Sequence, residues 1–370
     1  MGLSSTVCQT SFSSQSLEHE PICELHPPNR PAGPHTLEPG PATLSSMNLL
    51  ILGGTQFVGR HVVNAALERG HAVTLFSRGR KENPFPDLKH LTGDRSSDLS
   101  ALEGRTFDAV VDVSGYTPEQ LEKSCGVLRG RVGRYLFIST VSVYTDPGQH
   151  GPDETSALQT LEPLTEDVTA ETYGPLKVNA EKVVLEHFAD RATVVRPHFV
   201  VGAFDHTDRF TSWVHKFARG GQVLLGGPQS DPCQFVDARD HADLVLHLLE
   251  RDLKGTFNAA RDPVTWGQVL EGVSTLTGNP VQAIEPDVKW LEAQQLEGDP
   301  FPMWIPVHSS YAGMARVSNV RSKATGFTYR SLEDTLKHVL EWDKARTGEL
   351  KAGLTLEREQ ELIRAWGARG

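Results

Sequence analysis

One stretch constrains this chain more than any other. Asn48-Leu-Leu-Ile-Leu52 is apolar at four successive positions, and Leu52-Gly53-Gly54-Thr55-Gln56-Phe57-Val58-Gly59 follows it directly. From Phe57 onward Val58, Val62, Val63, Ala66 and Leu67 recur at helical spacing until Gly70. A strand without polar alternation is buried on both faces, so the sheet that holds it needs helices on both sides. A strand, a glycine turn and a helix in that order open a parallel βαβ unit.

The same alternation continues. Strands are expected over 72–76, 90–92, 107–113, 135–139 and 193–196, with helices over 118–128 and 173–188. The fold class is therefore α/β, a Rossmann-type doubly wound parallel sheet beginning at about Met47. Beyond Gly202 the pattern becomes irregular, with helices expected near 210–218, 238–249 and 266–276, as in a smaller α+β substrate-binding region. The domain expectation is a dinucleotide-binding domain over 47–200, a mainly substrate-binding region over 201–345 and an amphipathic helical tail over 346–370. Residues 1–46 are rich in Ser and Pro and carry one basic residue, Arg30. They read either as a leader without fixed structure or as a segment ahead of a true start at Met47.

Composition narrows the partners. A net charge of −11 argues against a generic polyanion binder, so nucleic acid is not the expected partner. No apolar run approaches the ~20 residues a membrane span needs. Cys8, Cys23, Cys125 and Cys233 show no metal-like spacing, which suits unpaired thiols and a cytoplasmic setting. The 15 histidines form no HExxH-like pattern, and no metal is expected.

The glycine turn lies where a dinucleotide's pyrophosphate would be held by backbone amides and a helix N-terminus. Gly53, Gly54, Thr55, Gln56, Phe57, Val58 and Gly59 are the candidate cradle. Gln56 occupies the place of the middle glycine in a GxxGxxG turn, so either its amide donates to the phosphates or the dinucleotide binds weakly or shifted. The second strand ends in Ser77-Arg78-Gly79-Arg80, with no acid for a ribose 2′-hydroxyl and two cations nearby. That favours NADP over NAD. Asp94 is a candidate acceptor for the adenine amine.

Chemistry is expected where the fifth strand runs into Ser139-Thr140-Val141-Ser142. Tyr173 and Lys177, four residues apart, share a helix face. An ammonium beside a phenol would lower the phenol's pKa and suit Tyr173 to acid/base work on an alcohol or carbonyl. Thr140 would hold the substrate oxygen, and Lys177 could also bond the nicotinamide ribose.

With these residues in view, the chain from Met47 to about Trp342 resembles the extended short-chain dehydrogenase/reductase superfamily of the NAD-dependent epimerase/dehydratase type. The resemblance assigns Gly53, Gly54 and Gly59 to the phosphate turn and Thr140, Tyr173 and Lys177 to the catalytic set. Glu181 extends the YxxxKxxxE helix. Arg196-Pro197-His198-Phe199-Val200-Val201-Gly202 resembles the segment bordering the nicotinamide, with Pro197 against the cofactor. Gln234-Phe-Val-Asp-Ala-Arg-Asp240 resembles the segment leading the substrate-side helix. It implies an oxidoreductase or epimerase with a small-molecule substrate, and a homodimer.

The departures matter as well. Phe199 and Cys233 stand where sugar-nucleotide enzymes of the superfamily often have Asn and Arg, which disfavours a nucleotide-diphosphate sugar. Thr140-Val-Ser142 replaces the TDE of the 4,6-dehydratases, which disfavours dehydration. His198 reads equally as a pocket wall or as a locally satisfied imidazole. Trp213, Trp266 and Trp304 read as core or pocket wall. The glycine turn is also similar to that of the chloroplast stem-loop RNA-binding relatives of this fold. A nucleic-acid-binding protein and a dinucleotide sensor without turnover therefore stand as alternatives to the enzyme.

Overall fold

A computed structural model of the chain describes residues 46–369 apart from 146, 147, 149, 163 and 164. Of the leader expected over 1–46, residues 1–45 lie outside the described residues, which begin at Ser46. Six strands follow the sequence reading closely: β1 (Asn48–Leu52), β2 (Ala72–Ser77), β3 (Lys89–Thr92), β4 (Phe107–Asp112), β5 (Val132–Ile138) and β6 (Ala192–Pro197). A seventh, Gly255–Ala259, was not expected. The seven pair in parallel, in the order Gly255–Ala259, β6, β5, β4, β1, β2, β3. Strand order reverses between β1 and β4, and in open sheets of this kind the crevice beyond the strand ends at that point receives ligands.

Helices cover both faces, as the apolar β1 requires. Helix α1 (Phe57–Glu68) and a later helix, Ala238–Glu250, lie against one face with Leu49, Ile51, Val63, Leu75 and Val245 between layers. Arg69 ties their ends together through Asp243 at 2.8 Å and Glu250 at 3.0 Å. Helices α2 (Pro118–Leu128) and α3 (Tyr173–Phe188) cover the other face over Leu50, Val110, Tyr135 and Phe137.

The helix Ala238–Glu250 and the strand Gly255–Ala259 belong to the Rossmann layer, although both come after residue 200. The chain leaves the sheet for a second region and then returns to it. That region has its own core around Trp213, Trp266 and Phe235, with Trp304 stacked on Trp266 at 4.7 Å. The three tryptophans are thus core. The C-terminal helix Leu356–Gly367 packs through Leu362 and through Glu359, which accepts from Arg219 at 2.7 Å. No helix among the described residues is long and apolar enough to cross a membrane.

Candidate active site

Two cavities open at the C-terminal ends of the strands. The first, of about 490 Å³, runs from the glycine turn after β1 past Ser77, Arg78, Arg80 and Lys81 after β2 and Asp94 after β3. The second, of about 510 Å³, lies over the ends of β5 and β6 and holds Thr140, Ser142, Tyr173, Lys177 and Pro197. Phe57, Val58, Val113, Tyr116 and His206 are walls of both.

The turn is built for close approach. Gly53 adopts φ +99°, and a Cβ there would meet Ser114 Cβ at 2.9 Å. A Cβ on Gly59 would lie 2.9 Å from Gly54 Cα and 3.0 Å from Gly53 O, so helix and turn touch backbone to backbone. Gln56 takes the N-cap position of α1 in extended geometry, and its side chain caps nothing. The first-turn amides are therefore not satisfied by that side chain, and such amides suit an anion. Phe57, at φ +27°, carries backbone strain at the helix entrance. Thr55 and Val58 complete the wall. These features fit a dinucleotide's pyrophosphate: a Cβ at Gly53 would strike Ser114, one at Gly54 would strike Leu75 and Val63, and one at Gly59 would strike the turn itself, so only glycines keep the turn this tight.

At the outer end, Arg78, Arg80 and Lys81 are exposed and form no ion pair among the described residues. Ser77 Oγ is instead bonded with His90 Nε2 at 2.8 Å. Asp94 is half-buried, and its Oδ1 accepts from Ser96 N at 3.0 Å. Its loop is anchored by a residue the sequence reading passed over. Arg95 grips the fully buried Asp112 with two bonds of 2.7 Å and reaches Ser124 at 2.8 Å. Burial alone would raise the Asp112 carboxyl, but Arg95 and the Tyr135 hydroxyl hold it below the usual carboxylate range.

In the second cavity Thr140 accepts from Ser142 N at 3.1 Å, which closes the short turn after β5 and sets the hydroxyl at the wall. Tyr173 is half-buried at the start of α3, with its ring 6.4 Å from that of Tyr116. Lys177 is buried one turn on. Here the structure departs from the expected phenol–ammonium coupling. Lys177 Nζ donates to the carbonyls of Gly115 at 2.7 Å and Ile138 at 2.6 Å, under the Phe137 ring. Burial pulls its pKa down to about 7, against the opposing pull of Asp112 and Glu181. Burial likewise raises the Tyr173 phenol, with Tyr116 adding to the rise and Thr140 and Arg209 opposing it. The ammonium is committed to the ends of β4 and β5, so the phenol is shifted up rather than down.

Behind them lies a buried ion pair. Arg196 Nη2 and Nε donate to Glu181 at 2.6 and 3.0 Å, and Ser139 Oγ donates to the same carboxylate at 2.5 Å. Arg196 also donates to the Tyr144 hydroxyl at 3.2 Å. One carboxylate thereby fixes α3 against the ends of β5 and β6. His198 lines the cavity and is also locally satisfied, accepting from Phe199 N at 2.8 Å and donating to Met314 O at 2.6 Å. Burial lowers its pKa to about 4, so the ring is neutral. Phe199 is a cavity wall, whereas Cys233 is buried in the tryptophan core and brings nothing to the site.

Tyr116, His206, Lys81, Arg95 and Arg209 are among the wall residues that sequence reasoning missed. Lys81 directly follows Arg80 and could have been found there. The others sit in loops or at a helix start, where no periodicity marks them.

The sequence model of the NAD dependent epimerase/dehydratase family matches residues 49–128 and 121–260. Among curated proteins, the chain is similar to the chloroplast stem-loop binding protein of 41 kDa b of Arabidopsis thaliana. That likeness is 24% identity over 264 residues, covering 66% of this chain and 66%, just under two thirds, of that protein. It is also similar to the 2'-dehydrokanamycin reductase of Streptomyces kanamyceticus, 26% identical over 275 residues, or 69% of this chain and 74% of that protein. Among solved structures, the Bordetella bronchiseptica enzyme WbmG in complex with NAD and UDP superposes with a TM-score of 0.59 at 16% identity. The match covers 84% of this chain and 98% of WbmG. At that identity the likeness concerns the fold.

Proposed function

The chain belongs to the NAD dependent epimerase/dehydratase family, and from that premise we propose that it is an NAD(P)-dependent oxidoreductase or epimerase acting at a hydroxyl or carbonyl of a small molecule. The observation that carries this reading is the pair of cavities with common walls, the amide-lined turn in one and Tyr173, Thr140 and Lys177 in the other.

In this reading Gly53 to Gly59 hold the pyrophosphate, Asp94 accepts from the adenine amine, and Lys177 and Pro197 border the nicotinamide end. Arg78, with Arg80 and Lys81, faces the 2′ position, and three cations without acidic partners among the described residues favour a 2′-phosphate and hence NADP. When bound, the nicotinamide ring gives or takes a hydride. Thr140 holds the substrate oxygen by its hydroxyl, and Tyr173 moves the proton. A phenol kept protonated by its surroundings suits the direction in which Tyr173 gives a proton to a nascent alkoxide, that is, carbonyl reduction. Likeness to a reductase supports that direction. Phe199 and the buried Cys233 stand in place of the Asn and Arg that the resemblance associates with sugar-nucleotide enzymes, which speaks against a nucleotide-diphosphate sugar.

The region after residue 200, apart from the returning helix and strand, serves as the substrate side. A cytoplasmic setting suits the buried free thiols of Cys125 and Cys233. Sedimentation of the purified protein tests the homodimer that the family resemblance implies.

One observation favours a second reading, binding of stem-loop RNA without turnover: the likeness to the chloroplast stem-loop binding protein. Against it stands the charge of −11. Fluorescence titration with NADPH, NADH and a stem-loop RNA separates the two. The enzyme reading expects saturable nucleotide signals, with NADPH the tighter ligand. RNA binding at moderate salt with no dinucleotide signal would reverse the order.

A further inference from the structure

Tyr173, Thr140 and Lys177 leave one charge in the second cavity unexplained. Arg209 opens the helix Arg209–Arg219 and lines this cavity but not the first. Its Nε donates to Thr207 Oγ1 at 3.2 Å, and its guanidinium lies over the Phe199 ring, 5.0 Å from the centroid. Its terminal nitrogens have no hydrogen-bond partner, and no carboxylate comes within ion-pairing distance, among the described residues. Asp205, the acid in the same wall, directs Oδ1 at Thr207 N and Oγ1, at 2.9 and 2.6 Å. Asp299 feels the guanidinium charge without pairing with it. The other cation of the cavity, Lys177, is spent on two backbone carbonyls.

A half-buried guanidinium in so acidic a protein would ordinarily be paired, as neighbouring Arg196 is with Glu181. Arg209 offers an open planar fork on an aromatic support, beside the phenol that handles the proton. Such a fork matches a carboxylate in shape and, as one unit charge, in valence; a phosphate dianion would call for a second cation. We propose that Arg209 binds a carboxylate of the substrate, so that the pair interconverted is a small oxo-acid, which is reduced, and the matching hydroxy-acid, of monosaccharide size or less. The proposal rests on the assignment of this cavity to the substrate, and it adds the substrate's charge.

Calorimetric titration of the NADPH-saturated protein tests it with matched pairs, D-glucuronate against D-glucose and lactate against 1,2-propanediol, with D-glucose 6-phosphate as a third arm. At least one acid should bind more tightly than its neutral partner and than the phosphate ester. Arg209→Gln should weaken that acid by roughly tenfold or more, as expected for loss of a charge-assisted pair, and Arg209→Lys should restore part of it. Equal affinity or equal silence within both pairs, preference for the phosphate, or acid binding that survives Arg209→Gln overturns the assignment. The wild-type comparison needs no variant, so a misfolded Arg209→Gln protein cannot mask the result. Absence of NADPH binding in the wild type would instead strike at the enzyme reading itself.

Discussion

At the scale of single residues, the types were legible and their electrostatics were not. Tyr173 and Lys177 could be picked out by spacing, because residues four apart on a helix share a face, and Thr140 as a hydroxyl at the end of the neighbouring strand. That the ammonium turns to the carbonyls of Gly115 and Ile138 depends on where β4 and β5 end, which no local pattern encodes. Two predictions belong here. Tyr173→Phe removes only the transferable proton, so turnover should fall by about 100-fold or more while NADPH affinity holds. Steady-state rates and a binding titration check it, and a variant that keeps its rate but loses the nucleotide contradicts the role. Arg78→Ala should weaken NADPH by roughly tenfold, the value of one charge-assisted contact, and leave NADH nearly unchanged. Equal weakening of both nucleotides would remove Arg78 from 2′-phosphate recognition.

At the scale of elements, long periodic segments were read well. The bounds 118–128 and 173–188 agree with α2 and α3, since Pro118 fixes the start of α2 and the apolar faces run unbroken. The strand Gly255–Ala259 escaped because Gly-Thr-Phe-Asn-Ala has little strand character of its own. Pairing with β6 and the bonds of Asn258 to Tyr144 Oη at 2.6 Å and Ser318 O at 3.1 Å hold it in place. The junction of α3, β5 and β6 turns on Glu181. Glu181→Ala leaves Arg196 buried without its counter-ion and should cost about 3–5 kcal/mol, read by urea unfolding. A loss under about 1 kcal/mol, the level of a surface pair, would mean that the junction does not depend on this pair. The glycine turn gives a second case. Gly59→Ala sets a methyl against Gly54 Cα, so dinucleotide affinity should drop even where the protein still folds. Unimpaired NADPH binding by that variant would show that the helix and turn can separate at no expense to the cradle.

At the scale of the whole molecule, the buried imidazoles link stability to pH. Burial lowers both His198 and His241 to about 4, and neither nitrogen of His241 has a hydrogen-bond partner among the described residues. An unfolded chain titrates its histidines near 6.5 and so binds more protons than the folded one between about 6.5 and 4. Stability contributed by these neutral rings is therefore present above about pH 6.5 and lost as pH falls through that window. Asp240, raised by burial and by Asp237 to about 6, works in the opposite sense between about 4 and 6. The difference between wild type and His241→Leu isolates the imidazole. The variant should lose less stability than the wild type between pH 6.5 and 4.5 in urea unfolding. Parallel pH dependences would show that His241 is not held neutral.

The sequence by itself determined the layer architecture, the place of the glycine turn and the residue types at the start of α3. Each is written locally, in periodicity, glycine spacing and the four-residue repeat of a helix. Only the tertiary structure decided that the chain returns to the sheet after residue 250, that Arg95 pins the Asp94 loop and that Arg209 shares a cavity with Tyr173 without an acidic partner among the described residues. These features join residues far apart in sequence, and burial and pairing belong to a site assembled from many segments rather than to any one of them.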